Sequence, residues 1–325
     1  MSYQANEKRY DKMLYRQVGQ SGLKLPAISL GFWRNFGDDM PLTRQKDLIL
    51  KAFDLGITHF DLANNYGGGA AEQNFGLIFK EHLKTYRDEL LISTKAGYQM
   101  WDGPYGDGGS RKYLVSSCDA SLKRLGLDYV DIFYHHRYDP ETPLEETALA
   151  LDSLVRSGKA LYIGISNYSA TDAQAMSRIF KTLKTPFIIN QMKYNLFERE
   201  FEDELKGVTA NEGIGNISFS PLAQGQLTNR YLNGIPEDSR ISRKGALTDA
   251  VTFEKNLAKV RKLQVIAETR QQTIAELAIA WQLRDAGVTS VLIGASRVSQ
   301  LKENVKALDN ISFTNTELQA IQHIL

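Results

Sequence analysis

Along the chain, short runs of apolar and β-branched residues alternate with longer segments whose apolar positions recur at helical spacing. The short runs occupy residues 28–32, 57–61, 90–95, 130–136, 161–166, 187–191, 217–221 and 290–294, which predicts eight strands. Between most of them lie segments with the period of amphipathic helices, among them residues 44–54, 71–83, 113–125, 144–155 and 171–183. Alternation of this kind predicts parallel strands joined by crossover helices. Strands such as Val130-Asp131-Ile132-Phe133-Tyr134 are apolar on both faces, which suits a sheet covered by helices outside and filled with side chains inside.

The repeat period matches an eight-fold α/β barrel, so the expected fold is a single (β/α)8 TIM barrel domain spanning residues 1–325. A doubly wound dinucleotide fold is the rival. It would need a G-x-G-x-x-G turn after an early strand. The cluster Gly67-Gly68-Gly69 has a different layout, and no acidic residue ends a second strand at the expected distance. Two features exceed a minimal barrel. Residues 14–27 read as a β-hairpin turning at Gln20-Ser21-Gly22, placed to plug the barrel bottom. Between the seventh and eighth strands lies an insertion of roughly 70 residues, with two helical stretches and a loop over residues 232–248 that is a candidate cofactor lid.

Composition narrows the class. The 325 residues are 42% hydrophobic and 24% charged, the mixture of a globular chain with a large core. Thirty-nine Lys and Arg against 38 Asp and Glu give a net charge of +1, with no long run of one sign. Nucleic acid and membrane surfaces are therefore not expected partners; a small ligand is. The lone Cys118 can form neither an intrachain disulfide nor a zinc-type cysteine set, which points to a reducing compartment. The first residues are polar and no uninterrupted apolar stretch is long enough to span a bilayer, so the expected location is cytoplasmic.

Three strands end in ionisable residues where turn formers are usual: Asp61, Lys95 and His136. Barrel geometry brings all three to one mouth. Tyr66, five residues beyond Asp61, is close enough in sequence to fold over the same mouth. The four types suit protonation of a carbonyl oxygen as hydride reaches its carbon. A phenol keeps its proton at neutral pH, and a nearby ammonium lowers its pKa by stabilising the phenolate left behind. Asp61 would hold Lys95 charged, and His136 would hydrogen-bond the carbonyl. Adjacent strand residues such as His135 and His136 face opposite ways and cannot chelate one ion, so no metal site is expected. His59, His82 and His323 read as structural or surface residues, and Cys118 as a small apolar side chain.

Taken together, GITHFDLANNYG, STKAG, DYVDIFYHHRYDPETPLEE, GKALYIGISNYS, SFSPLAQGQLTNRYLNGIPEDSR and SVLIGASRVSQLKENV resemble the aldo-keto reductases over nearly the whole chain. Within that superfamily the chain is similar to the bacterial branch of the L-glyceraldehyde 3-phosphate reductases, itself related to the β-subunits of voltage-gated potassium channels. Residues 108–114 and 233–240 support the branch. The loop after Tyr66, GGGAAEQNFG, is shorter than is usual there, which bears on substrate preference.

The resemblance implies an NADPH-dependent reductase of small aldehydes or ketones, with L-glyceraldehyde 3-phosphate and methylglyoxal as candidates. It implies Asp61, Tyr66, Lys95 and His136 as the catalytic tetrad, with Tyr66 as proton donor. It also implies that Ser166, Asn167 and Gln191 hold the nicotinamide, and that Phe219 stacks on it where channel subunits carry Trp. Ser220, Leu222, Gly225 and Arg230 would wrap the pyrophosphate. Ser296, Arg297, Gln300, Glu303 and Asn304 would hold the adenosine end. A helix opening near Val298 favours phosphate at its N-terminus, and Arg297 can meet a 2′-phosphate. Trp33 would line the substrate pocket, and Arg111 and Lys112 would meet a substrate phosphate only if their loop reaches the mouth. The alternative is an NADPH-binding redox-sensing subunit; such subunits carry Asn as a rule where this chain has His136. Relatives imply a homo-oligomer, a tetramer or larger.

Overall fold

The computed structural model describes residues 3–232 and 250–325. A two-stranded antiparallel hairpin, β1 (Tyr15–Gln17) and β2 (Lys24–Pro26), precedes the barrel. The barrel strands are β3 (Ile28–Gly31), β4 (His59–Asp61), β5 (Leu91–Ala96), β6 (Val130–His135), β7 (Ala160–Ser166), β8 (Phe187–Lys193), β9 (Gly215–Phe219) and β10 (Ser290–Ile293). They pair in parallel in chain order, and β10 returns to β3 through Val291–Ile28 and Ile293–Leu30, closing the ring. The eight strands and the hairpin are those the sequence pattern predicts.

Helices α1 (Leu42–Asp54), α2 (Ala70–Ile78), α3 (Arg111–Leu125), α4 (Leu144–Arg156), α5 (Ala170–Leu183) and α6 (Leu205–Glu212) follow successive strands. The insertion after β9 supplies α7 (Ala250–Thr269) and α8 (Ile274–Leu283), and α9 (Val298–Lys306) and α10 (Asn315–Ile324) follow β10. Hydroxyls cap four of them: Ser110, Ser169, Thr273 and Thr314 accept from first-turn N–H groups of α3, α5, α8 and α10. The period read as one helix over residues 71–83 is α2 followed by a π-helical turn, Phe79–Leu83. The candidate lid at 232–248 falls outside the described residues after Leu232, as do residues 233–240.

The hairpin closes one end of the barrel. Val18 and Leu25, both fully buried, pack with Ile132, Tyr134, Ile189, Ile217 and Leu292 inside the ring. The turn is held from below, where Gln20 N–H donates to Gly213 O at 2.9 Å, just ahead of β9. The opposite end, at the strand C-termini, stays open.

Histidine burial couples this fold to pH. Desolvation pushes His59 and His135 down to about 4, so both are neutral in the folded chain near neutrality. Their folded pKa lies below the ordinary value of 6.5, so the unfolded chain binds more protons on acidification and stability falls. Between pH 6.5 and 5 each should cost about 2 kcal/mol, in a window above the ordinary carboxylate range. Urea midpoints should therefore drop over that window, and less steeply in His59→Asn. Midpoints that stay level would contradict the burial.

Candidate active site

Lys95, near the C-terminal end of β5, is fully buried, and its ammonium is completely enclosed by acceptors. Its Nζ donates to Asp61 Oδ2 at 2.5 Å, to Leu62 O at 2.6 Å and to Tyr66 OH at 3.4 Å. Burial works against the charge, but the Asp61 carboxylate and the Tyr66 phenol outweigh it and raise Lys95 above its ordinary range. A dry, permanently charged ammonium thus sits directly behind a phenol oxygen.

Asp61 is itself held by a directed chain of hydrogen bonds across the barrel interior. Ser93 Oγ donates to Asp61 Oδ1 at 2.6 Å, so it must accept from His59 Nε2, 2.9 Å away. His59 Nδ1 is then the acceptor from Ser29 Oγ at 2.9 Å, and Ser29 in turn receives Ser290 Oγ at 2.7 Å. The neutral Nε2–H tautomer of His59 follows from this order. His59 is structural, as its position suggests, and its structural role is to orient the carboxylate that pairs with Lys95.

Tyr66 opens a one-turn 3-10 helix, Tyr66–Gly69, that leads straight into α2. The loop can be this short because Gly67, Gly68 and Gly69 have φ of 58°, 64° and 97°, a run of left-handed residues that side chains disfavour. Lys95 pulls the phenol's pKa down, as expected, but burial of Tyr66 is the larger effect and Asp61 adds to it, leaving Tyr66 above 10.0. In this state the phenol keeps its proton.

His136 directly follows β6 and turns to the opposite side from His135, whose Nδ1 lies 2.6 Å from Tyr168 OH. Gly97 lets the two strand ends approach, since a Cβ there would lie 3.0 Å from His136 Cβ. Tyr98 stands edge-on to the imidazole at 4.7 Å and Tyr66 at 5.8 Å. Burial and then the Lys95 charge hold His136 well below 6.5, so it is neutral and offers an N–H without competing for the proton.

Asp61, Tyr66 and His136 share a cavity of about 1300 Å³ at the open end of the barrel, with Lys95 fully buried behind them. That exceeds what one small metabolite needs and leaves room for a long ligand beside it. Its wall includes Asp61, Tyr66, His136, Ser166, Asn167 and Gln191. Phe219, Ser220, Leu222, Gly225 and Arg230 line the next stretch, and Ser296, Arg297, Gln300, Glu303 and Asn304 the far end. Every residue proposed from sequence for the dinucleotide is on this one surface. Gln191 Nε2 also donates to Asp61 Oδ1 at 3.3 Å, and Asn167 Nδ2 to His136 O at 3.0 Å, tying two of the nicotinamide candidates to Asp61 and to the end of β6. Asn167 and Ser220, both at φ 56°, place left-handed non-glycine residues just after β7 and β9, on the rim.

The far end suits an anion. No side chain caps α9, because Arg297 at the N-cap has no acceptor to offer its first turn. That leaves helix N–H groups and a guanidinium at the cavity wall, the donor set a phosphate uses. Trp33 lines the near end and is 42% exposed, so it is not the buried core tryptophan it could have been. Arg111 and Lys112 do not line this cavity: Arg111 Nη1 donates to Leu149 O and its backbone N–H to Glu146 Oε1, while Lys112 lies over Tyr105. Tyr98, Asn65, Arg44 and Lys193 line the cavity without having been singled out. Only Lys193 had a signal, sharing a strand face with Gln191 two residues earlier. Among the described residues no group of His, Cys, Asp and Glu is arranged to hold a metal ion, and no helix is long and apolar enough to cross a membrane.

Residues 27–325 match the model of the Aldo/keto reductase family. The L-glyceraldehyde 3-phosphate reductase of Escherichia coli (strain K12) is 55% identical over 332 residues, covering 100% of this chain and 96% of the relative. The probable voltage-gated potassium channel subunit beta of Arabidopsis thaliana is 38% identical over 321 residues, covering 96% and 97%. A protein of the same description from Oryza sativa subsp. japonica is 37% identical over 315 residues, covering 94% of each chain.

Proposed function

The chain belongs to the aldo/keto reductase family, and we propose on that basis that it reduces small aldehydes or ketones with NADPH, Tyr66 giving the proton. One observation carries the reading: an ammonium fixed by Asp61 donates to the Tyr66 oxygen at the wall of a cavity long enough for a dinucleotide. NADPH bound there would supply the hydride. Phe219 offers a face for the nicotinamide ring, Ser166, Asn167 and Gln191 its amide partners, and Arg297 with the α9 N-terminus a counter-charge for the 2′-phosphate.

The residues then divide the work. Neutral His136 donates to the carbonyl oxygen and fixes its position. Tyr66 passes its proton to the same oxygen as negative charge develops there. Lys95 stabilises the phenolate that remains, and Asp61 keeps Lys95 charged and aimed. Burial of Asp61, Lys95 and His136 strengthens the interactions they make.

The similarity to a named L-glyceraldehyde 3-phosphate reductase makes that phosphorylated aldehyde the leading candidate substrate, with methylglyoxal second. Steady-state oxidation of NADPH and NADH, each with these two aldehydes, tests the reading. Turnover is expected with NADPH in preference to NADH. Tight NADPH binding with negligible turnover on either aldehyde would favour a redox-sensing subunit instead.

A further inference from the structure

Strand β8 ends with two cavity-lining side chains on one face, Gln191 and, two residues on, Lys193. Lys193 is in register with Phe219 of β9, so it stands beside the ring offered to a nicotinamide and next to the bend that opens at Ser220. The chain then reverses tightly. Asn195 and Glu198 exchange backbone hydrogen bonds at 3.1 and 3.2 Å, which brings Glu198 back to Lys193, and the two side chains form an ion pair. Glu198 is not part of the cavity wall. The fully buried Asn195 holds this turn: its Nδ2 donates to Glu198 Oε2 at 2.7 Å and to Ser220 O at 3.0 Å. Its Oδ1 accepts from the N–H groups of Phe197 and Glu198 at 2.9 and 3.1 Å. The left-handed Ser220 is therefore tied to the same carboxylate that holds the lysine.

We propose that Lys193 binds the diphosphate of the dinucleotide and that Glu198 is a placeholder, pairing with the lysine until the cofactor takes it over. This rests on the reductase reading above. In the closed ring β8 lies four strands from β4 in either direction, diametrically opposite the strand that leads to Tyr66. Trp33 and Tyr98 follow β3 and β5, the neighbours of β4, so Lys193 faces the cofactor's wall and not the aldehyde's. Two residues along a strand span about 7 Å, and the four-carbon stem of lysine extends further. A cation at that distance beyond Gln191 meets a dinucleotide where ring and ribose give way to phosphate. The Lys193 and Glu198 side chains are 45% and 31% exposed. So open a pair contributes little and is readily exchanged, whereas a diphosphate offers two negative charges to one ammonium. The turn survives the exchange, because Asn195 holds both Glu198 and Ser220 without the lysine.

Binding of NADPH and NADH, followed by tryptophan fluorescence with no aldehyde present, tests the assignment. In Lys193→Gln both dissociation constants should rise by the same factor, roughly 10-fold, since the two dinucleotides share the diphosphate. Arg297→Gln, at the end proposed for the 2′-phosphate, should weaken NADPH and spare NADH. Glu198→Gln removes the competitor yet keeps an oxygen for Asn195, so both dinucleotides should bind about 2- to 5-fold more tightly. Lys193→Arg should recover most of the affinity, because the charge returns. Affinity in Lys193→Gln should also fall less steeply with added salt than in wild type. Wild-type affinity in Lys193→Gln, weaker binding in both Lys193→Gln and Glu198→Gln as a mere brace for the turn would give, or a loss confined to NADPH would each overturn the proposal and leave the reductase reading standing. A wild-type protein that binds neither dinucleotide would overturn both.

Discussion

Tyr66→Phe is expected to lower turnover with NADPH by roughly 10²- to 10⁴-fold while leaving NADPH affinity near that of wild type, the size of effect general-acid removal produces. The substitution deletes one oxygen, the atom that receives the Lys95 ammonium at 3.4 Å, and preserves the ring that packs against His136. Single-turnover absorbance with saturating cofactor separates the two quantities, and normal turnover would remove Tyr66 from the chemistry. The pH profile of the wild type adds an independent check. Burial holds Tyr66 above its ordinary range, so loss of the acid form should not limit the rate near neutrality. His136, held well below 6.5, should impose no acidic limb near neutrality.

Lys95→Met should damage both activity and stability. Asp61 would remain with its carboxylate at zero exposure and its only cationic partner among the described residues gone. Breaking a buried pair from one side costs about 3–5 kcal/mol, a large fraction of the roughly 5–15 kcal/mol that holds a typical domain together. Turnover should fall on the order of 10²-fold through the lost charge beside the phenol. Combining Asp61→Asn with Lys95→Met separates the two effects. The carboxamide oxygen introduced by Asp61→Asn would still accept from Ser93, so urea stability should largely return, yet turnover should not. A single Lys95→Met variant of wild-type stability and rate would contradict the arrangement of Asp61, Lys95 and Tyr66.

The barrel was legible because its strands are short, apolar on both faces and punctuated regularly; all eight appear, with shifts of a residue or two at their ends. The clustering of Asp61, Lys95 and His136 at one end of the barrel was legible for a related reason. Asp61, Lys95 and His136 interrupt apolar runs at the ends that parallel topology gathers at one mouth, so topology did the assembling. The direction of Tyr66's pKa was not legible, because the balance between burial and the Lys95 charge depends on depth, which no local pattern encodes. Nor was the Glu72–Arg124 pair that locks α2 to α3, with Thr94 of β5 donating to the same carboxylate. On a helix pattern Glu72 reads as a solvated first-turn acid, yet it is fully buried. Asn64 and Asn65 are identical in type and adjacent, and only the folded arrangement shows that Asn64 Nδ2 ties the loop to α3 while Asn65 lies along the cavity.

The return of β10 to β3 has a consequence for how the chain is made. The pairing of Val291 with Ile28 joins positions at opposite extremes of the sequence. As the polypeptide leaves the ribosome, β3 to β9 can assemble only into a curved sheet with two bare borders. Neither border is covered until residues 290–293 emerge, so the nascent chain spends most of its synthesis as an unfinished arc, prone to pairing with a neighbouring copy. Ring formation late in translation therefore makes protection by a chaperone most useful before β10 arrives.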